Sequence, residues 1–207
     1  MTIQVGANVV REMIINGAQA TEAWYGGKCV WKRTQEGIAA FVVVTADTEI
    51  PCPAWAEMVD VVGIGAGGSG SGGFAVTSAS GKGGQPGKWG STVWYANPGR
   101  TLKITIGKPG SGDGTGTATV VRNELDDWTL TCPPGPANGS GSGNATGIGA
   151  AAYTFGSISF PGGGNVGIDT AGSVPGGGGG GGSGWFTGYN AGKPGGRGQV
   201  WIRFRSY

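Results

Sequence analysis

Val174-Pro175-Gly176-Gly177-Gly178-Gly179-Gly180-Gly181-Gly182-Ser183-Gly184-Trp185-Phe186-Thr187-Gly188-Tyr189 sets an unbroken glycine tract directly against a cluster of aromatic side chains. Glycine makes up 48 of the 207 residues, against about 7% in ordinary domains. All but Gly6, Gly17, Gly26, Gly27 and Gly37 fall within residues 63–198. Glycine loses more backbone entropy on folding than any other residue, so such a stretch resists ordering by itself. Chains that stay unfolded are poor in aromatics, however, and this one interleaves its glycines with Trp89, Trp94, Tyr95, Trp128, Tyr153, Trp185, Phe186 and Tyr189. The combination predicts an ordered scaffold with long Gly-rich loops.

The tract at 176–182 admits three readings. It is a flexible linker, or a loop ordered only by a partner. The third is a packed run of extended, polyproline-II-like segments bonded to other Gly runs at 65–73, 162–164 and 176–184, as in polyglycine II. Backbones without Cβ atoms can approach closely enough for that. A collagen triple helix is excluded, because no Gly-X-Y period is sustained.

Outside the glycines the pattern is that of strands. Leu102, Ile104 and Ile106 alternate with Thr101, Lys103 and Thr105, and Val200, Ile202 and Phe204 alternate with Trp201, Arg203 and Arg205. Framework strands are predicted over 38–44, 58–64, 101–106, 117–122 and 199–205, with the Gly-rich loops clustered at one end. Further strands are predicted over 74–77, 91–95 and 128–131, and one short strand within 153–160. A chain segment at 47–53 closes the first framework strand. Helix signals are confined to a turn or two at 53–58 and 123–128. The fold class is therefore all-β, a sandwich or jelly-roll-like core. A small N-terminal β meander precedes it, with strands at 9–15, 19–25 and 28–32 and turn signals at Asn16-Gly17 and Gly26-Gly27. The division is a docking module at 1–36 and a glycine-rich β domain at 37–207. Two or three short strands are marginal alone, so the module needs a partner surface, for which Trp24, Tyr25 and Trp31 are the candidates.

Composition narrows the function. The chain has no histidine, which excludes Ser-His and Cys-His catalysis and His-ligated metals. Cys29, Cys52 and Cys132 are widely spaced with no C-x-x-C pair, and are expected as free, mostly buried thiols. The net charge of +2 carries no basic stripe for nucleic acid. No apolar run suits a membrane span, and the first ten residues lack the features of a signal peptide, so synthesis in a cytosol is expected.

Gly63-Ile64-Gly65-Ala66-Gly67-Gly68 matches G-x-G-x-x-G after a strand, but no helix pattern and no acidic residue about 20 positions on follow it, so no cofactor is expected. Asp113-Gly114 and Asp126-Asp127 lack calcium-loop or paired-acid spacing and are expected as solvated turns. No catalytic constellation emerges. The binding candidates are Trp185, Phe186 and Tyr189, with Trp89. Aromatics on loops offer sugars or protein surfaces a large contact area at low rotamer cost. The alternative is that these rings pack back on the glycine layer as core.

Three segments together resemble the glycine-rich domain of phage minor tail proteins: Val59-Asp60-Val61-Val62-Gly63-Ile64-Gly65-Ala66-Gly67-Gly68, Asn97-Pro98-Gly99-Arg100-Thr101-Leu102-Lys103-Ile104-Thr105-Ile106-Gly107, and Gly195-Gly196-Arg197-Gly198-Gln199-Val200-Trp201-Ile202-Arg203-Phe204. The stretch from Ile15 to Trp31 is similar to the short β module that opens many actinobacteriophage tail proteins. What the resemblance implies is a non-enzymatic virion component at the tail tip of a long-tailed phage, assembled in the host cytoplasm. Its partners would be other tail proteins and cell-envelope glycan met by outward Gly-rich loops; a homotrimer is expected because elongated Gly runs from three chains could satisfy one another's backbone groups. A purely structural virion role and a Gly-rich carbohydrate- or ice-binding module are the alternatives.

Overall fold

In a computed structural model of the chain, residues 39–96, 99–123, 128–138 and 141–206 are described with their side chains; of the first 38 residues the backbone of four short strands is described. Those four form two antiparallel pairs. β1 (Ile14–Ile15) faces β2 (Ala18–Gln19), and β3 (Glu22–Tyr25) faces β4 (Lys28–Lys32), with a register shift between Ala23 and Trp24. The single strand expected over 19–25 is thus two. The Asn16-Gly17 and Gly26-Gly27 turns lie outside the described residues, as do the side chains of Trp24, Tyr25, Cys29 and Trp31.

The strands that follow are β5 (Ala39–Val44), β6 (Thr48–Pro51), β7 (Met58–Ile64), β8 (Trp89–Tyr95), β9 (Thr101–Thr105), β10 (Thr119–Asn123), β11 (Trp128–Cys132), β12 (Tyr153–Phe155), β13 (Ile158–Phe160), β14 (Gly184–Trp185), β15 (Gly188–Tyr189) and β16 (Gln199–Arg205). Two four-stranded antiparallel sheets, ordered β5-β16-β7-β8 and β11-β10-β9-β6, pack face to face. Their inner faces supply one core: Val59, Val61, Val200, Ile202 and Phe204 from one sheet against Leu102, Ile104 and Val121 from the other. Trp94 and Trp128 meet across it at 6.0 Å between ring centroids. This is the all-β sandwich expected, and no helix occurs among the described residues.

The alternation that reveals β9 in sequence is kept, its Leu102 and Ile104 inward and its Lys103 and Thr105 outward. β7 departs from alternation because it is buried on both faces. The β12–β13 hairpin lies over its outer side, joining Phe160, Trp201, Val62 and Ile64 in a second core. That hairpin was expected as one strand; Gly156, at φ 60°, turns the chain between two. The closing segment at 47–53 contains β6, which extends the second sheet. The strand expected at 74–77 is absent. The Phe74 N–H instead bonds to the Ala79 carbonyl, closing a turn that includes Ser78 at φ 49°.

The glycine-rich segments lie at one end of the sandwich, but as a hydrogen-bonded bundle rather than as loops. Strands run straight into it: β7 continues as 65–73, 81–88 leads into β8, and 190–198 leads into β16. Residues 175–182 are all buried at its centre. The bonding repeats every three residues. Gly179 and Gly182 donate to the carbonyls of Gly68 and Ser71, Gly177 and Gly180 to Ser173 and Thr170, and Gly178 and Gly181 to Ile148 and Ala145. In return the carbonyls of Gly176, Gly179 and Gly182 accept from Gly87, Gly84 and Gly81, and those of Gly177 and Gly180 from Gly196 and Lys193. A step of three, each step turning to a different neighbour, is the geometry of a three-residue-per-turn extended helix with no internal bonds. Of the three sequence readings, the polyglycine-II-like one holds, and buried backbone groups find partners within one chain.

Candidate functional site

The bundle ends in a tip built from two turns. Segment 66–73 and segment 176–183 run outward together, so that a Cβ on Gly73 would meet the Ser183 carbonyl. Each then turns back, the first through 74–80 and the second through the β14–β15 hairpin. The Gly73 amide donates to the Asn190 carbonyl, which fastens the end of the first outward segment to the second return. Phe74, Val76, Trp185, Phe186 and Tyr189 all stand exposed on this end, Val76 at 80% and Phe186 at 76%.

Two of these rings stand beside a glycine. The Trp185 indole lies against Gly188 so closely that a β-carbon there would be 2.9 Å from three of its ring atoms. The Tyr189 ring lies against Gly72, at 3.4 Å from the same imagined position. The Trp185 indole is thereby held by backbone while much of the residue stays exposed, whereas Tyr189 has space for a β-carbon between its ring and Gly72. Sequence reasoning finds Trp185, Phe186 and Tyr189 together, and the fold brings them together. It misses Phe74 and Val76, because a β-prone Phe-Ala-Val-Thr reads as a strand when the turn geometry is unknown.

Trp89 does not join them. It sits at the start of β8, stacked at 5.3 Å on Tyr153 and 5.5 Å on Trp201, and its indole N–H donates to the Ala151 carbonyl at 3.0 Å. Its ring belongs to the second core beneath the β12–β13 hairpin, at the sandwich end of the bundle. The side chains of Trp24, Tyr25 and Trp31 lie outside the described residues.

A polar cluster holds the base of the tip. Ser183 donates its hydroxyl to Asp169 Oδ2 at 2.6 Å and its amide to Oδ1 at 3.2 Å, and Asn190 Nδ2 donates to the Ser183 hydroxyl at 3.0 Å. The Ser183 hydroxyl bond in particular keeps the Asp169 carboxyl below its ordinary pKa. Asp169 takes φ 56°, a conformation that Asp tolerates better than most residues. The tip turns themselves, 70–81 and 183–192, contain no charged residue.

A second concavity of about 610 Å³ opens where sandwich and bundle meet, lined by Asp47, Ile106, Lys108, Val174 and Arg197 among others. Two of its charged groups, Asp47 and Arg197, hold the junction. Asp47 Oδ1 accepts from the Ile106 amide at 2.7 Å, and Arg197 donates to the Thr45 carbonyl at 2.6 Å. Among the described residues no cluster of three or more His, Cys, Asp or Glu is placed to hold a metal ion, and no helix is long and apolar enough to cross a membrane. Cys52 and Cys132 are free and buried.

Residues 43–157 match the glycine-rich domain family, more than half of the chain, and the protein belongs to that family. The match ends before the glycine tract at 176–182 and the tip hairpin. No curated protein matches the chain.

Proposed function

We propose that the chain is a non-enzymatic structural component of a phage tail tip, held to the tail through its N-terminal module and presenting the glycine bundle to the host surface. The observation that carries this is the polarity of the domain. Ala39, where the N-terminal module joins the sandwich, pairs with Arg205, at the end of the sheet away from the bundle. Ile64 and Gln199 pair at the other end, where the bundle begins. Eight or nine extended residues at about 3.1 Å each carry the aromatic tip roughly 25 Å further on. Attachment at one end and contact at the other suit a terminal virion subunit. The resemblance of the framework motifs to phage minor tail proteins supplies the virion context, and membership in the glycine-rich domain family supports the scaffold alone.

Homotrimerisation belongs to this proposal only through the symmetry of a tail tip. The bundle satisfies its backbone within one chain and needs no second copy for that purpose.

A purely structural place among other virion subunits is the second reading, favoured by the outer face of β5-β16-β7-β8. There Phe41 and Val43 on one edge strand and Val93 and Tyr95 on the other are exposed, flanking Arg203 and the buried Asp60. Cryo-EM of the assembled particle separates the two. Density for this domain at the tail tip with 74–80 and 184–189 facing outward supports the first; density with those turns buried among neighbours supports the second. Absence from any particle overturns both.

A further inference from the structure

We infer that the bundle tip is a binding site for a neutral, hexose-type glycan of the cell envelope, an inference that rests on the tip being the outward-facing end. Three observations converge on that ligand class. The first is ring presentation. Trp185 is laid on the Gly188 backbone so that its indole is set before any ligand arrives, and Tyr189 stands beside Gly72 with room for a β-carbon between them. A flat, pre-set aromatic face suits the flat, C–H-bearing face of a pyranose, and little side-chain entropy is lost on contact.

The second is charge. Neither tip turn contains a charged residue; Lys82 and Lys193 follow directly after them, Lys193 acts on the Asp169 carboxylate, and Asp169 is also tied by Ser183. An acidic polymer or an anionic lipid surface would need facing cations to be attracted and held. The third is the mixture of groups. Thr187, between Phe186 and Tyr189 in the chain, and Thr77 and Ser78 on the other turn are exposed and supply donors and acceptors for sugar hydroxyls. A protein-docking patch depletes polar groups at its centre, whereas here both turns carry exposed hydroxyls beside the apolar groups.

The test uses the purified full-length chain and saturation-transfer NMR with soluble hexasaccharides: maltohexaose, cellohexaose and mannohexaose as neutral probes, hexagalacturonate as the acidic one. Saturation transfer to at least one neutral probe is expected, with at least a tenfold loss of affinity in Trp185→Ala and in Tyr189→Ala. The conservative Trp185→Phe should retain part of the binding, and Phe41→Ala, on the sandwich face, should retain all of it. Unchanged melting temperatures in the tip variants separate lost contact from lost fold. Transfer to no neutral probe, equal or stronger transfer to hexagalacturonate, or binding that survives Trp185→Ala/Tyr189→Ala would overturn the inference. Its failure is distinct from failure of the tail proposal, which is read from the particle. A chain found at the tail tip that binds no sugar loses only the glycan, and a sugar-binding chain found in no particle loses only the tail.

Discussion

Gly70 faces Gly180 so closely that a β-carbon on Gly70 would lie 2.2 Å from the Gly180 carbonyl oxygen. The same relation joins Gly67 to Gly177 at 2.0 Å and Gly73 to Ser183 at 2.3 Å, the same three-residue step that sets the hydrogen bonds. Both partners in each contact are backbone, so neither can rotate aside. Gly70→Ala is expected to destabilise the domain by about 3 kcal/mol, the upper end of ordinary overpacking. Gly164 faces open space with no left-handed backbone, and Gly164→Ala should be neutral or stabilise by about 0.5 kcal/mol. Denaturant titration of the two variants checks the contrast. Equal effects would mean that the bundle breathes enough to admit a methyl group.

That contact also marks what the sequence can and cannot disclose. Strand alternation at Leu102-Lys103-Ile104 and at Val200-Trp201-Ile202 reports burial on one face, and those two framework strands follow from it. The glycine segments have no side chains from which to read a period. Their threefold step is a property of the bonding partners, which lie up to about a hundred residues away, as Gly179 and Gly68 do. The tip is half legible for a related reason. Trp185, Phe186 and Tyr189 are adjacent in the chain, but Phe74 joins them only because segments 66–73 and 176–183 run side by side. Trp89 looks the same in sequence as Trp185, and only the presence of Tyr153 and Trp201 on either side makes it a core ring.

Thr119 joins the sandwich to the bundle. Its buried hydroxyl donates to the Ile64 carbonyl at 2.8 Å and accepts from the Gly107 amide at 3.0 Å. These are the points where β7 and β9 leave their sheets. Thr119→Val keeps the shape, leaves the buried Gly107 amide without its acceptor and takes one donor from the Ile64 carbonyl, which should cost about 2 kcal/mol. Thr119→Ser keeps the hydroxyl and should cost about 1 kcal/mol for the lost methyl. Amide exchange at Gly107 gives the specific readout, accelerated in the valine variant beyond its global loss and unchanged relative to global stability in the serine one.

Burial pushes the Cys132 thiol from 9.0 up to about 12, and Cys52 moves the same way for the same reason. Both should therefore resist a thiol reagent in the folded protein at pH 8 and react on unfolding. The pH dependence has a definite sign. Below about pH 9 both states hold the Cys132 proton and its contribution is fully present. Above it the unfolded state releases the proton while the folded state keeps it, so stability falls by up to about 1.4 kcal/mol per pH unit until the folded pKa is reached. Cys132→Ala removes this component. The difference between parent and variant in unfolding midpoint should narrow as pH rises from 9 to 11, and a constant difference would show that the thiolate is tolerated inside.

Asp60 is the buried acid of the outer sheet face, with 4% of its side chain exposed. It accepts from Arg203 Nε at 2.7 Å and Arg205 Nε at 3.2 Å, and Arg203 Nη2 closes a second contact. Arg203 also lies 5.8 Å from the centroid of the Phe41 ring. Asp60→Asn keeps the volume but leaves two guanidinium groups without their anion. Both retain roughly a third of their exposure, so water recovers part of the loss, and the expected cost is about 2 kcal/mol rather than the larger figure for fully buried pairs. Because the carboxylate is buried, 0.5 M NaCl should shrink that cost only slightly. A double-mutant cycle of Asp60→Asn with Arg203→Gln measures the coupling directly. A coupling near zero would place the stabilisation in packing alone, with Phe41 and Val93 flanking the trio as apolar cover rather than as the edge of an ion pair.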